Sequence, residues 1–330
     1  MVYINAIRQI SAQKPLTDEW FDSPIYYNEP YIRAIDPDFK QYLAPNESRR
    51  TGKILKRALI TSREACKDTV PEAIITGTGL GCIENTEIFL DSMSRYGEEL
   101  LPPTQFMQST HNTVSSLVAI DIKCNSYNIT FAHKGISFEC ALQNAFIISN
   151  KKHNVTVLVG AHDEMTPVYF NLLKRTGYLG NTNQVFAGEA AVSMLLSTKK
   201  ENSSMCRIDN IEKYYSTGRN FHLDSSDYKI DAVMTGINGT EDNDRVYYEN
   251  CNRWFPGVPM LRYKHLFGES YTAPAFGVYT SAICLAKQLI PEFIKLHSKV
   301  NNTKPINSIL CYNHFENKNH TFILLSTCYE

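Results

Sequence analysis

A chain of 330 residues with 33 basic and 34 acidic side chains carries a net charge of −1, which leaves no electrostatic footprint for a nucleic acid and no polybasic patch for a membrane. That length buries roughly 75% of the unfolded surface and suits about two domains or one large α/β domain. Nine cysteines form no CxxC pair and mostly sit in apolar runs, so free thiols in a reducing cytoplasm are expected, and no apolar run reaches the roughly 18 residues of a transmembrane span.

Val2 to Ile7 alternates as a short strand, and the same stretch lacks the basic start and apolar core of a signal peptide. Tyr42 to Thr69 has helical period through Ile54, Leu55, Ala58, Leu59 and Ala65. Ala73 to Gly77 reads as a strand that runs into the glycine turn Gly77-x-Gly79-x-Gly81. Helices are expected over Glu84–Tyr96, Thr113–Lys123 and Ile136–Asn150, and strands over Asn128–Thr130, Val155–Gly160 and Ala190–Ser197. Strands alternating with helices imply an α/β fold with a mainly parallel core sheet.

A polar break, Thr198 to Ser204, separates a second set of elements, so the chain divides into residues 1–200 and 201–330. Strands are expected over Arg207–Tyr214, Ala232–Ile237 and Arg245–Tyr248. A Pro/Gly loop (Trp254 to Pro259) leads to helices over Pro274–Ile290 and Pro291–His297, and strands Ser308–Tyr312 and Thr321–Ser326 close the chain.

The chemistry begins with an absence. Asn128 to Gly135 reads as a strand ending in a tight turn ahead of a buried helix, a geometry that exposes a nucleophile and lowers the pKa of a thiol there. This turn carries Ala132, with no Ser or Cys. The glycine turn has GxGxG spacing without the acidic residue of a dinucleotide site, so a tight strand–helix crossing explains it better than a nucleotide. His111, His133, Cys140 and His162 show no metal-ligand spacing on one element, and Cys140 suits core packing better than nucleophilic work. Asp163 and Glu164, at a strand C-terminal end, fit either site acids or acids complementing a helix N-terminus.

The order of these elements resembles the β-ketoacyl synthases of the thiolase fold over nearly the whole chain. The matching stretches are Ile75 to Gly81, the elbow Asn128 to Gly135, Val157 to Glu164 with its Gly-Ala-x-Asp-Glu end, and Phe186 to Leu196. The resemblance implies a layered αβαβα fold of two similar halves, the second shortened, and decarboxylative Claisen condensation by a Cys, two His and a Lys. The Cys of the family's Thr-Ala-Cys-x-x-Gly-like elbow falls on Ala132. The first His, of Asn-x-His-Gly-Thr, falls on Asn238 within Gly236 to Thr240. The Lys-x-x-x-Gly-His motif keeps Lys264 and Gly268 but has Glu269, or Tyr271 across a gap, where the second His stands. The late loop that gates the acyl pocket matches Asn313 to Lys318 without its glycines.

A methyl group cannot form a thioester. An amide donates a hydrogen bond but does not become cationic as charge develops. A carboxylate repels a malonyl carboxylate unless neutralised. The resemblance therefore implies a catalytically silent subunit of the chain-length-factor type, without cofactor or metal. It would pair through the strand Asn128, Ile129, Thr130 with a Cys-bearing ketosynthase and serve an acyl carrier protein. The compact chain particularly resembles the ketosynthase-like proteins of bacterial aryl-polyene and flexirubin-type pigment pathways. Two other readings stay open: an atypical synthase or acyltransferase using a relay such as His133 with Glu269, and a homodimeric acyl- or carrier-protein-binding module.

Overall fold

The computed structural model describes residues 1–98, 101, 103–179, 186–216, 223, 229–296 and 304–328. In chain order the elements are β1 (Val2–Ile10), β2 (Tyr31–Ile32), α1 (Pro45–Arg50), α2 (Lys53–Cys66), β3 (Ala73–Gly77), α3 (Ile83–Tyr96), α4 (Pro103–Ser109), α5 (Thr113–Asp121), β4 (Tyr127–Phe131), α6 (Ser137–Lys151), β5 (Thr156–Asp163), α7 (Pro167–Arg175), β6 (Ala187–Gly188) and β7 (Ala190–Ser197). The second set is β8 (Cys206–Tyr215), β9 (Ala232–Thr235), α8 (Glu241–Trp254), β10 (Met260–Arg262), α9 (Lys264–Phe267), α10 (Pro274–Lys287), β11 (Lys295–Leu296), β12 (Ser308–Phe315) and β13 (Asn319–Ser326).

The sheet runs β11-β10-β9-β12-β13-β8-β1-β7-β5-β3-β4. Read outward from its middle, it contains one pattern twice: β1-β7-β5-β3-β4 and β8-β13-β12-β9-β10. In each copy the second, third and fourth strands in sequence pair in parallel, and the fifth returns antiparallel between the fourth and the first. The halves repeat as an architecture although their sequences show no evident identity.

Helices fall into three layers. Ile54, Leu55, Ala58 and Leu59 of α2 pack with Val114 and Val118 of α5 on one face of the first half. Tyr247, Cys251 and Trp254 of α8 cover the far face of the second half. Between the halves, Phe138, Ala141, Leu142 and Ala145 of α6 share one apolar cluster with Ala275, Val278, Ala282 and Leu285 of α10. Helix α10 is apolar nearly all round because strands cover it on both sides. Both faces of β3 and β5 are likewise buried, which explains their unbroken β-branched runs. The result is the expected αβαβα stack.

Three local expectations fail. Arg245–Tyr248 is the middle of α8, not a strand: Val246-Tyr247-Tyr248 has local β-propensity, but burying Tyr247, Cys251 and Trp254 at i, i+4 and i+7 behind an acidic first turn fixes a helix. Pro291–His297 was expected to be helical. It is instead a single turn of 3-10 helix at Glu292–Ile294 and then β11, because so short a segment nucleates a helix poorly and its backbone pairs with β10; His297 lies outside the described residues. Asn313 to Phe315 are strand rather than loop, and the reversal to β13 is the tight turn at Glu316 and Asn317, with φ of +54° and +51°.

All nine cysteines are free thiols. Among the described residues, no helix is long and apolar enough to cross a membrane.

Candidate functional site

Strand β4 delivers the elbow. Ala132 and His133 are exposed beyond Phe131, and Lys134 takes the left-handed conformation at φ +51°. Ser137, buried at the start of α6, holds the turn: its Oγ accepts from the His133 N–H at 2.8 Å and donates to the Lys134 carbonyl at 2.7 Å. The turn that supports an apex side chain is therefore held on both sides, and the residue at its apex, Ala132, presents a methyl group. The His133 ring lies edge-on to Phe131 at 5.8 Å. From the end of β12, Phe315 lies over Gly135, where a Cβ would come within 2.2 Å of its ring. Tyr271 sits against Gly79 in the same manner and stands edge-on to Phe315 at 6.2 Å.

The polar half of the site comes from three loops of the second repeat. After β9, Asp244 in the first turn of α8 accepts the backbone N–H groups of Asn238 at 3.0 Å and Gly239 at 2.9 Å, which fixes the loop over the helix N-terminus. The Asn238 Oδ1 accepts from the Thr240 N–H at 3.0 Å and from Asn243 Nδ2 at 3.1 Å, leaving its Nδ2 to donate to Glu269 Oε2 at 2.8 Å. Lys264, at the start of α9, places its Nζ 2.7 Å from that same oxygen. The Glu269 backbone is held by the Phe186 carbonyl and the Gly188 N–H. Lys264 and Glu269 are both buried. Asn238, Lys264 and Glu269 thus bond to one another, with the cation neutralised and the amide engaged at both ends. Tyr271, the alternative across a gap, turns away to Phe315 and Tyr178.

Behind the elbow lies a network that the sequence did not reveal. Glu139 of α6 is completely buried, and this desolvation pushes its carboxyl up to about 7. It accepts from Asn313 Nδ2 at 2.6 Å; the Asn313 Oδ1 accepts from the Tyr247 hydroxyl at 2.9 Å; and the His314 N–H donates to that hydroxyl at 3.2 Å. Burial holds the His314 imidazole neutral, down to about 3. The only trace in sequence is a lone acid on an apolar helix face.

Asp163 and Glu164 both accept backbone N–H groups. Asp163 accepts the N–H of Gly79 and of Thr272, each at 2.7 Å, tying the glycine turn to the Tyr271 loop, and burial raises its carboxyl. Glu164 accepts the Glu84 N–H at 2.9 Å, so it serves the N-terminus of α3 rather than of its own helix; burial brings its carboxyl to about 7. His162 is buried on β5, and Cys140 lies beside Lys213 at 3.2 Å. Among the described residues, no three His, Cys, Asp or Glu side chains group to hold a metal.

The triad of Asn238, Lys264 and Glu269 separates two cavities. One, of about 110 Å³, faces the elbow between Gly135, Tyr178, Tyr271 and Phe315. The other, of about 590 Å³, opens on the far side among Asn28, Phe186, Tyr248, Arg262 and Leu296. Neither is lined by His133, and no described contact joins His133 to Glu269.

A repeated five-stranded pattern around a buried helix pair, with an elbow leading into one of those helices, defines the thiolase-like class of ketosynthase folds. The family model for the beta-ketoacyl synthase N-terminal domain matches residues 43–233, more than half of the chain, and the protein belongs to that family. No curated protein sequence matches it. Solved structures of similar fold include a chain described as AntDE:AntF, a type II PKS acyl-carrier protein in complex with its ketosynthase bound to the hexaketide. It has a TM-score of 0.78 at 13% identity and covers 99% of each chain. The ishigamide ketosynthase/chain length factor has a TM-score of 0.78 at 15% identity, covering 100% of this chain and 99% of that one. A beta-ketoacyl synthase from Burkholderia phymatum STM815 has a TM-score of 0.79 at 11% identity, covering 99% of each.

Proposed function

We propose that this chain is a catalytically silent ketosynthase-like subunit that pairs with a Cys-bearing β-ketoacyl synthase and shapes acyl-chain synthesis on an acyl carrier protein, in fatty acid or polyketide-type biosynthesis of the aryl-polyene or flexirubin kind. The observation that carries the reading is Ala132 on an otherwise intact elbow. It is supported by the hydrogen bonding of Asn238 and Lys264 to Glu269, which engages the amide and the ammonium with one carboxylate oxygen instead of leaving them directed at a thioester carbonyl. Among the similar folds are a ketosynthase/chain length factor and a ketosynthase held by its acyl-carrier protein, which favours the same assignment.

Pairing is proposed through β4. This strand is the last in its sheet, and Tyr127 (47%) and the neighbouring Ile120 (74%) are exposed apolar side chains beside it. An open, apolar edge is a liability that proteins cover. A matching strand from a second subunit would bury an interface on the order of 2,000 Å² or more. The chain is proposed to divide at residues 200 and 201, in keeping with the repeated strand order.

The test is the purified chain supplied with acyl- and malonyl-carrier protein. No ketoacyl product and no labelling of the elbow by cerulenin-like electrophiles are expected. Product formed by the lone chain and lost on mutating His133 or Glu269 would overturn the reading in favour of the atypical enzyme.

A further inference from the structure

Tyr271 stands between two cavities. On one side is the elbow cavity of about 110 Å³, walled largely by polar side chains such as Asn238, Asn243, Lys264 and Glu269. On the other, beside α7, is a pocket of about 10 Å³ bounded chiefly by Leu80, Met165, Leu173 and Leu179. Tyr178, Glu269, Ser270 and Tyr271 are walls of both. The two carboxylates at the smaller pocket are engaged with backbone: Asp163 with the Gly79 and Thr272 N–H groups, Glu164 with that of Glu84.

The Tyr271 ring has a built seat. A Cβ on Gly79 would lie 2.2 Å from Tyr271 Cδ2 and 2.6 Å from Tyr271 Cβ. Gly79 does not take a positive φ, so its missing side chain provides space and not conformational freedom. The ring packs on Tyr178 at 5.4 Å and on Phe315 at 6.2 Å, and the hydroxyl hydrogen-bonds to that of Tyr169 on α7. The backbone is pinned on both sides, by the Thr272 N–H on Asp163 at 2.7 Å and by the Glu269 N–H on the Phe186 carbonyl at 2.7 Å. A side chain fixed at its root, ring and tip cannot swing without breaking these contacts.

We infer that Tyr271 is a fixed plug that closes the elbow cavity off from the apolar pocket beside α7 and so denies this chain a bound hydrocarbon of its own. The pocket alone has room for about one water. Joined to the elbow cavity by loss of the ring, it would take a short unbranched hydrocarbon, because an apolar cavity of about 150 Å³ admits a molecule of benzene size. The inference rests on the packing around Tyr271 and stands whether or not the chain pairs through β4.

The test follows the Met165 methyl resonance in protein carrying methyl-labelled methionine, assigned with Met165→Leu, while benzene or hexanol is added. In the wild type, and in Tyr271→Phe, which keeps the ring, neither probe is expected to shift it saturably. In Tyr271→Ala both should, with binding at least about tenfold tighter than any to the wild type. Tyr271→Leu, which keeps more of the packing, should open partly and carries the test if Tyr271→Ala misfolds. Saturable binding beside Met165 in the wild type would overturn the inference without any variant. So would an unmoved resonance in whichever of the two opened variants folds, or a Tyr271→Phe protein as open as Tyr271→Ala.

Discussion

Replacing Lys264 with Met should destabilise the protein far more than replacing Lys264 and Glu269 together. At 2.7 Å the Lys264–Glu269 attraction is about 6 kcal/mol for an effective dielectric near 20. Desolvation of both ions offsets much of that, because their side chains are only 7% and 10% exposed. The two variants separate these contributions. Lys264→Met leaves a buried carboxylate whose remaining side-chain donor is Asn238, a cost of roughly 3–5 kcal/mol. Lys264→Met with Glu269→Leu removes both charges at similar volume and should recover most of the loss. Urea denaturation of the four proteins in a double-mutant cycle measures this; at a slope of about 3 kcal/mol/M the single variant shifts the midpoint by roughly 1 M or more. A Lys264→Met cost below about 1 kcal/mol, or additive costs in the pair, would refute the claim that these residues are sealed to each other.

Three further outcomes follow from the same geometry. Ala132→Cys should accept an acyl group yet turn over negligibly in a condensation assay, since catalytic groups act as a unit and Asn238 and Glu269 remain; turnover near that of an active synthase would show those two positions to be misassigned. Ile129→Pro removes a donor from the β4 ladder and should split the dimer or render the protein insoluble, read by light scattering against a dimeric wild type; a well-folded wild-type monomer at micromolar concentration would contradict the pairing. Glu139 has its folded-state pKa raised to about 7, so the folded protein holds that proton more tightly than the unfolded chain: stability is full below about pH 4.5 and declines as pH rises to about 7. Glu139→Gln keeps an acceptor for Asn313 and should flatten that decline, gaining roughly 3 kcal/mol over the wild type at pH 8; parallel pH profiles of unfolding would exclude a buried titrating carboxyl.

The sequence was most legible where a single periodicity was bound to a single environment. β3, β5 and β7 are buried on both faces and read as unbroken β-branched or small-residue runs, and the helix of the elbow was legible from its apolar length. Ala132, Asn238, Lys264 and Glu269 could be marked one by one because each sits in a short motif with a fixed neighbour. Sequence did not disclose that Asn238 and Lys264 converge on one oxygen of Glu269, a contact that joins residues 31 and 5 positions apart through tertiary packing. It also hid Glu139, whose partner Asn313 is 174 residues away. The failure at Arg245–Tyr248 has the opposite cause: three β-formers in a row outweighed a helical face that needs Cys251 and Trp254 to be seen.

The central claim is that the chain works as the silent half of a pair, and intact mass measurement after co-expression with a Cys-bearing ketosynthase of the same organism tests this most directly. The account predicts a one-to-one complex of the 37.5 kDa chain with that synthase, carrying any acyl adduct on the synthase alone. A complex containing only copies of this chain, or an acyl adduct on this chain, would contradict it.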